Sequence, residues 1–232
     1  MSPVRAVLFD AGHTLLEFDY PAFTARIRAC GYDVCEGAVT DAERRARARL
    51  DEERAADAVR ERRGVGRYLQ YVLEQLGITS DDDRRAIAEW RRSFNPPIGL
   101  CHRADPEAVA ALQRLQRAGV AIGVISNSNG SVRTALDRAG LGPYLHFVID
   151  STVVGVAKPD PRVFKLGLAE ANVEPGEAVY VGDSYFVDVI GARSVGMNAV
   201  LFDPSGVCTT RECRRATGLR TAAALALCAT RD

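Results

Sequence analysis

The stretch Val4-Arg5-Ala6-Val7-Leu8-Phe9-Asp10-Ala11-Gly12-His13-Thr14 decides how the rest of the chain is read. Its first part is a short run of strand formers, interrupted only by Arg5. It stops abruptly at an acid, followed by a loop-like Ala-Gly-His-Thr. A run of this kind marks a strand buried on both faces, as in a parallel sheet, that ends in a loop. Ligands of open α/β sheets bind beyond the carboxyl ends of the strands, which is where Asp10 falls.

From Asp105 onward, strands and helices alternate. Asp105 to Ala118 reads as a helix. Val120 to Ile125 reads as a strand that ends at Ser126-Asn127-Ser128-Asn129. Ser131 to Ala139 is an expected helix, Phe147-Val148-Ile149 a strand, and Pro161 to Ala171 a helix. Ala178 to Val181 is a strand ending at Gly182-Asp183, Val187 to Ser194 a helix, and Ala199 to Phe202 a last strand. The tail from Cys208 is less regular, with a terminal helix expected over Thr221 to Cys228. Repeated βα units with apolar strands predict an α/β fold, a parallel sheet with helices on both faces.

Between Tyr20 and Phe94 the composition changes to Ala, Arg, Glu and Leu at helical spacing. Asp41 to Arg63 is so dense in charge that only a narrow apolar stripe remains: Leu50, Ala55, Ala58 and Val59. Tyr68, Leu69, Val72, Leu73 and Leu76 mark a second amphipathic helix. Gly31, Gly64 and Gly77 read as turns or helix ends, and Asn95-Pro96-Pro97 closes the segment. The expected organisation is a core of residues 1–17 and 98–232 with an all-helical domain, 18–97, inserted after the first strand. Acids and bases are interspersed along the insertion, as on solvated helix faces and unlike a nucleic-acid arm.

The 232 residues are 47% hydrophobic and 26% charged, with a formal net charge of +0. That neutrality argues against a general nucleic-acid or acidic-membrane binder. No stretch is long and apolar enough to cross a bilayer, and the amino terminus has no signal-peptide pattern, so a cytoplasmic location is expected. Cys30, Cys35, Cys101, Cys208, Cys213 and Cys228 form no C-x-x-C pair, and reduced, mostly buried thiols are expected of them.

Four polar signatures follow strand ends: Asp10 with Thr14; Ser126-Asn127; Lys158-Pro159; and Gly182-Asp183-Ser184 with Asp188 and Gly191-Ala192. In a parallel sheet these converge on one edge. Their chemistry suits phosphoryl transfer. A carboxylate attacks phosphorus in line. Two carboxylates, Asp10 and Asp183, share one Mg²⁺. The Ser126 hydroxyl and the Lys158 ammonium hold phosphate oxygens. Asp188 positions Lys158 or a metal-bound water, and Gly12 leaves its carbonyl free to approach the metal. Each residue also has a plain structural reading. Asp10 could be a turn former, Ser126 and Asn127 helix caps, Asp188 a first-turn acid. Only their co-occurrence favours a site.

The segments Phe9-Asp10-Ala11-Gly12-His13-Thr14-Leu15-Leu16, Val124-Ile125-Ser126-Asn127, Lys158-Pro159-Asp160-Pro161-Arg162-Val163-Phe164 and Val181-Gly182-Asp183-Ser184 to Asp188 resemble, in order, the four motifs of the haloacid dehalogenase superfamily. The helical insertion sits where subfamily I of that family places its cap. The resemblance implies a Rossmann-like core, an Mg²⁺ cofactor, and hydrolysis through an aspartyl intermediate on a small phosphorylated molecule. It carries Asp10 over as nucleophile and metal ligand, Ser126 as phosphate binder with Asn127 beside it, Lys158 as charge stabiliser and Asp183 as metal ligand. Asp188 matches the last acid of the fourth motif.

One position departs from that pattern. Family phosphatases carry a second acid two residues after the nucleophile, and here that residue is Gly12, with His13 in the usual glycine place. Three readings follow: a phosphatase in which His13, the cap or a good leaving group replaces the acid; a 2-haloacid dehalogenase, against which Gly182-Asp183 argues; or a weak member that binds a phosphorylated ligand or a protein.

Overall fold

The computed structural model describes residues 3–56, 65–94, 98–206 and 213–228. The expected stripe residues Ala58 and Val59, the turn residue Gly64, the closing Asn95-Pro96-Pro97 and Cys208 lie outside them. The chain divides into two compact units, Met1–Phe18 with Cys101–Asp232, and Asp19–Leu100.

The first unit begins with β1 (Ala6–Phe9) and β2 (Leu16–Phe18). The second unit follows as α1 (Tyr20–Ala29), α2 (Glu36–Ala56), α3 (Val65–Gln75) and α4 (Asp81–Phe94). The chain then returns as β3 (Cys101–Ala104), α5 (Ala108–Arg117), β4 (Ala121–Ser126), α6 (Val132–Arg138), β5 (Phe147–Asp150), α7 (Ser151–Val154) and α8 (Pro161–Ala171). It ends with β6 (Ala178–Gly182), a π-helical turn (Tyr185–Ile190), α9 (Gly191–Arg193), β7 (Asn198–Phe202), β8 (Arg214–Ala216) and α10 (Leu219–Leu227).

Six strands form one parallel sheet in the order β5-β4-β1-β6-β7-β8. β1 is central, with Phe9 in register with Val124 of β4 and with Val181 of β6. All four of its side chains are fully buried, so both faces of the sheet are covered there. Ala6 and Leu8 share a core with Val163, Phe164 and Leu168 of α8, and with Tyr180 of β6. Val7 and Phe9 point to the opposite face by the alternation of a strand. This is the α/β architecture that the unbroken apolar runs predict.

Two strand features escape the sequence pattern. β8 has the composition Arg-Arg-Ala and no apolar run, yet it pairs with β7 at the sheet edge. β2 and β3 form a separate antiparallel pair, with Phe18 opposite Cys101. The expected helix over Val187 to Ser194 starts earlier, as the π-helical turn from Tyr185. The described cysteines also differ from expectation. Cys30, Cys101 and Cys213 are partly exposed and Cys35 and Cys228 exposed, since they lie at helix ends, turns and edge strands.

The helical unit explains its own charge density. On α2 the buried positions are Val39, Ala42, Ala46 and Leu50, one stripe at helical spacing, with charged residues around most of the cylinder. Gly31 and Gly77 adopt left-handed φ values of 90° and 71° just past α1 and α3, as helix-ending glycines do. One acid breaks the apolar stripe. Glu43 is fully buried, and it accepts hydrogen bonds from Tyr20 Oη at 2.9 Å, Tyr68 Oη at 2.7 Å and Arg47 Nε at 2.8 Å. Burial, with the Glu43 carboxylate beside them, holds both phenols above their usual range, so both stay protonated donors. The carboxylate thereby ties α1, α2 and α3 together. Among the described residues no helix is long and apolar enough to cross a membrane.

Removing one partner of a buried charged cluster leaves the others unsatisfied, at a cost of about 3–5 kcal/mol. Glu43→Ala should destabilise the helical unit on that scale and Glu43→Gln by less. Trp90, the single tryptophan, reports directly because it stacks between Phe23 and Phe94 in this unit. Urea unfolding followed by its fluorescence checks both variants, and equal midpoints for wild type and Glu43→Ala would show the cluster to be inert.

Candidate active site at the carboxyl edge of the sheet

Asp10 follows the last residue of β1 and is still anchored to the sheet, its N–H donating to the Val181 carbonyl of β6 at 2.8 Å. Its side chain meets Lys158, which enters from the loop before α8. The Lys158 ammonium is buried and donates three hydrogen bonds: to Asp10 Oδ1 at 2.7 Å, to Asp188 Oδ1 at 2.8 Å and to Tyr180 Oη at 2.9 Å. An ammonium has three N–H donors, so all are engaged within the protein.

The backbone of Lys158 is fixed separately. Its N–H donates to Asn127 Oδ1 at 2.8 Å, and Asn127 Nδ2 donates to its carbonyl at 2.9 Å. Asn127, expected at the substrate site, spends both ends of its side-chain amide on the neighbouring loop. Its amide matches one peptide unit of the neighbouring loop, which engages both ends of the side chain. Ser126 is the last residue of β4, buried, and two positions past Val124, the partner of Phe9. It stands one strand over from the Asp10 loop, and adjacent strands lie about 4.8 Å apart.

The turn after β6 brings two more acids. Asp188 lies in the π-helical turn, and its Oδ2 accepts from the Ser184 N–H at 3.0 Å. Its carboxyl folds so closely over Gly182 that a Cβ there would lie 2.4 Å from Asp188 Cγ. Glycine is required at that position by proximity alone. A π-turn is a frequent local device at functional sites, because the wider turn re-aims one side chain. Carboxylate oxygens of Asp10, Asp183 and Asp188 all lie within 4.8 Å of one another. Three hard oxygen donors with no sulfur or imidazole suit Mg²⁺ or a similar cation better than zinc. Thr14 Oγ1, in the same loop as Asp10, is buried with no hydrogen-bond partner among the described residues, which also fits a site completed by a ligand.

The loop after Asp10 is where the motif departs. Gly12 bridges to Leu16, and a Cβ on it would stand 3.4 Å from Cys101 Sγ, an ordinary contact. His13 is a non-glycine residue at φ 59°, its N–H donating to the Leu16 carbonyl at 2.8 Å and its ring stacked on Phe18 at 5.6 Å. A left-handed backbone costs an ordinary residue roughly 1–2 kcal/mol. The structure therefore brings Asp10, Lys158, Asp183 and Asp188 into one cluster and sets Ser126 and Asn127 at its β4 side. Gly12 and His13 lie in the loop that follows Asp10.

Tyr180 is the participant that the sequence reading passes over. It sits in an apolar strand run, and it is fully buried. A buried phenol needs a hydrogen-bond partner, and that signal was present in the sequence. Burial, reinforced by Asp188 and Asp10 and opposed by Lys158, holds it well above the usual range. Burial also raises Asp10 to about 7, against the pull of the Lys158 ammonium and with the help of Asp188 and Asp183. For Lys158, burial works against the charge, but the Asp10 and Asp188 carboxylates outweigh it and hold the ammonium well above its usual range.

A family model described as haloacid dehalogenase-like hydrolase matches residues 4–196. The ribulose-1,5-bisphosphate 5-phosphatase of Halopiger xanaduensis is 31% identical over 86% of this chain and 85% of its own. The phosphoserine phosphatase of Thermus thermophilus is 41% identical over 59% of this chain and 53% of its own. In fold, the chain is similar to the HAD hydrolase YfnB of Bacillus subtilis in a magnesium-bound crystal form, with a TM-score of 0.72 and 17% identity over 97% of this chain and 99% of that one.

A carboxyl whose pKa rises from 3.8 unfolded to about 7 folded binds its proton more tightly in the native state. Ionising it there opposes folding, so its contribution to stability is intact at low pH and is lost as pH rises from about 4 through about 7. Asp10→Asn keeps the shape without the charge. Without divalent metal, its Tm relative to wild type should rise from pH 5 to pH 8. A difference that stays constant across that range would contradict the assigned shift.

Proposed function

This chain belongs to the haloacid dehalogenase-like hydrolases, and we propose that it is a Mg²⁺-dependent phosphatase of a small phosphorylated molecule, acting through an aspartyl-phosphate on Asp10. The observation that carries the reading is the Asp10–Lys158–Asp188 contact with Asp183 within reach, at the carboxyl end of the central strand. The similarity, over 86% of this chain, to a protein named as a bisphosphate phosphatase supports the choice of phosphate ester as substrate. A dehalogenase reading is weaker, because halide displacement uses no cation, whereas three carboxylates within 4.8 Å of one another are an arrangement that could hold one.

In this reading the carboxylate oxygen of Asp10 attacks phosphorus as the bond to the leaving oxygen breaks, and water then cleaves the acyl phosphate. Asp10, Asp183 and Asp188, with the Gly12 carbonyl, are the residues that would hold Mg²⁺, which when bound would offset negative charge on the phosphate oxygens. The Ser126 hydroxyl holds a phosphate oxygen. Lys158 aims Asp10 and opposes the effect of burial on its carboxyl, and its charge stabilises the pentavalent transition state. Asn127 fixes the loop that carries Lys158. His13 is the proton carrier of the loop, giving a proton to the leaving oxygen and recovering one from water. Its place at φ 59°, where glycine costs less, supports that role. The location suited to such a substrate is the cytoplasm.

Hydrolysis of p-nitrophenyl phosphate and of a panel of small phosphate esters, with and without Mg²⁺, tests the reading. Activity should require the metal and vanish in Asp10→Asn; activity indifferent to both sinks it. His13→Gly relaxes the backbone and removes the imidazole. It should raise Tm by a few degrees while lowering kcat by about 10²-fold, the low end for a general acid–base group. An unchanged kcat removes His13 from the mechanism.

A further inference from the structure

The Tyr180 hydroxyl has both of its roles assigned by geometry. It donates its hydrogen to the Ile125 carbonyl at 2.8 Å and accepts from Lys158 Nζ at 2.9 Å. Because the hydrogen is committed to Ile125, the oxygen presents only lone pairs to the ammonium. Ile125 immediately precedes Ser126, so one side chain links the end of β4 to the lysine. The ring is itself fixed, lying edge-on to Phe164 at 5.2 Å, with every atom of the residue buried.

Lys158 reaches the site on a long stem with several rotatable bonds. Asp10 and Asp188 attract its charge from two directions but do not by themselves set a unique third direction. A neutral acceptor at the remaining N–H does so, and it leaves no donor with which Lys158 could turn toward bulk water. The ordinary alternative is that the phenol is a core side chain whose hydroxyl merely found partners. That alternative has a different signature, because it makes Tyr180 matter to stability but not to the rate of the folded enzyme.

We propose that Tyr180 is a positioning residue for the phosphatase reaction: its hydroxyl orients the Lys158 ammonium onto the Asp10 carboxylate and couples that orientation to the phosphate-binding end of β4. The inference rests on the phosphatase reading of the same site. With Tyr180→Phe, Lys158 keeps its charge and both carboxylate bonds but loses its third fixed point. Ground-state binding through Ser126 is untouched, whereas the transition state requires Asp10 and the ammonium in register.

The test uses the full-length enzyme with Mg²⁺ and p-nitrophenyl phosphate. Tyr180→Phe should lower kcat and kcat/KM together by about ten- to hundredfold, the range for a hydrogen bond to a charged group, with KM unchanged. Lys158→Met should abolish most activity, and adding Tyr180→Phe to it should cost nothing further. A folded Tyr180→Phe enzyme with wild-type kcat, or a double variant whose losses multiply, overturns the proposal. Should the Phe variant not fold, 3-fluorotyrosine at position 180 keeps the shape and weakens the oxygen as an acceptor; it must give a smaller loss of kcat in the same direction, and an unchanged kcat is again fatal. Failure of the phosphatase reading looks different, since Asp10→Asn and Lys158→Met would then leave hydrolysis intact.

Discussion

The buried Lys158 ammonium between the Asp10 and Asp188 carboxylates is the constraint around which the core unit is arranged. Taking these charges out of water costs several kcal/mol per ion unless geometry and further hydrogen bonds offset it. The surroundings supply those bonds. Asn127 pins the lysine backbone, Ser184 holds the far oxygen of Asp188, and Tyr180 fills the last ammonium donor. Gly182 must be glycine because Asp188 leans on it, and Gly191 because Phe164 lies 2.6 Å from where its Cβ would be. These residues come from β4, from β6 and from the turns that follow, so the charge cluster also ties β1, β4, β6 and the start of α8 together.

A charge cluster of this kind is poised rather than inert. One cation faces two buried carboxylates, with a third, Asp183, close by. The local charge is therefore negative in excess, and burial answers by pushing Asp10 to about 7. A divalent cation there would relieve that excess and favour the ionised form of Asp10. Lys158 offsets the repulsion among the carboxylates by bonding to two of them.

Most of the sheet was legible because buried parallel strands are written as unbroken apolar runs: Ala6–Phe9, Ala121–Ser126 and Ala178–Gly182 stand where those runs are. The cluster was legible because polar residues follow such runs only where the chain leaves the sheet. The features that were missed have no such signature. β8 is Arg-Arg-Ala, and its strand form comes from pairing with β7, a tertiary contact. The π-helical turn depends on Asp188 folding back to Ser184, which periodicity does not record. The bonds of Asn127 to the Lys158 peptide leave no trace in the pattern either, since a side-chain amide matches a peptide group as well as a ligand. Glu43 looked like one more charge on a crowded helix, and its burial follows from two tyrosines on other helices.

The antiparallel pair of β2 and β3 has a consequence beyond its few residues. Phe18 and Cys101 are partners across that pair, so the chain leaves the core and re-enters it at neighbouring points. Closing a long excursion costs little more entropy than closing a short one, since the penalty grows only with the logarithm of length. The core is thus nearly indifferent to what the excursion contains. The helices there could lengthen, shorten or be replaced while the charge cluster kept its geometry, because the two lie on separable stretches of the chain.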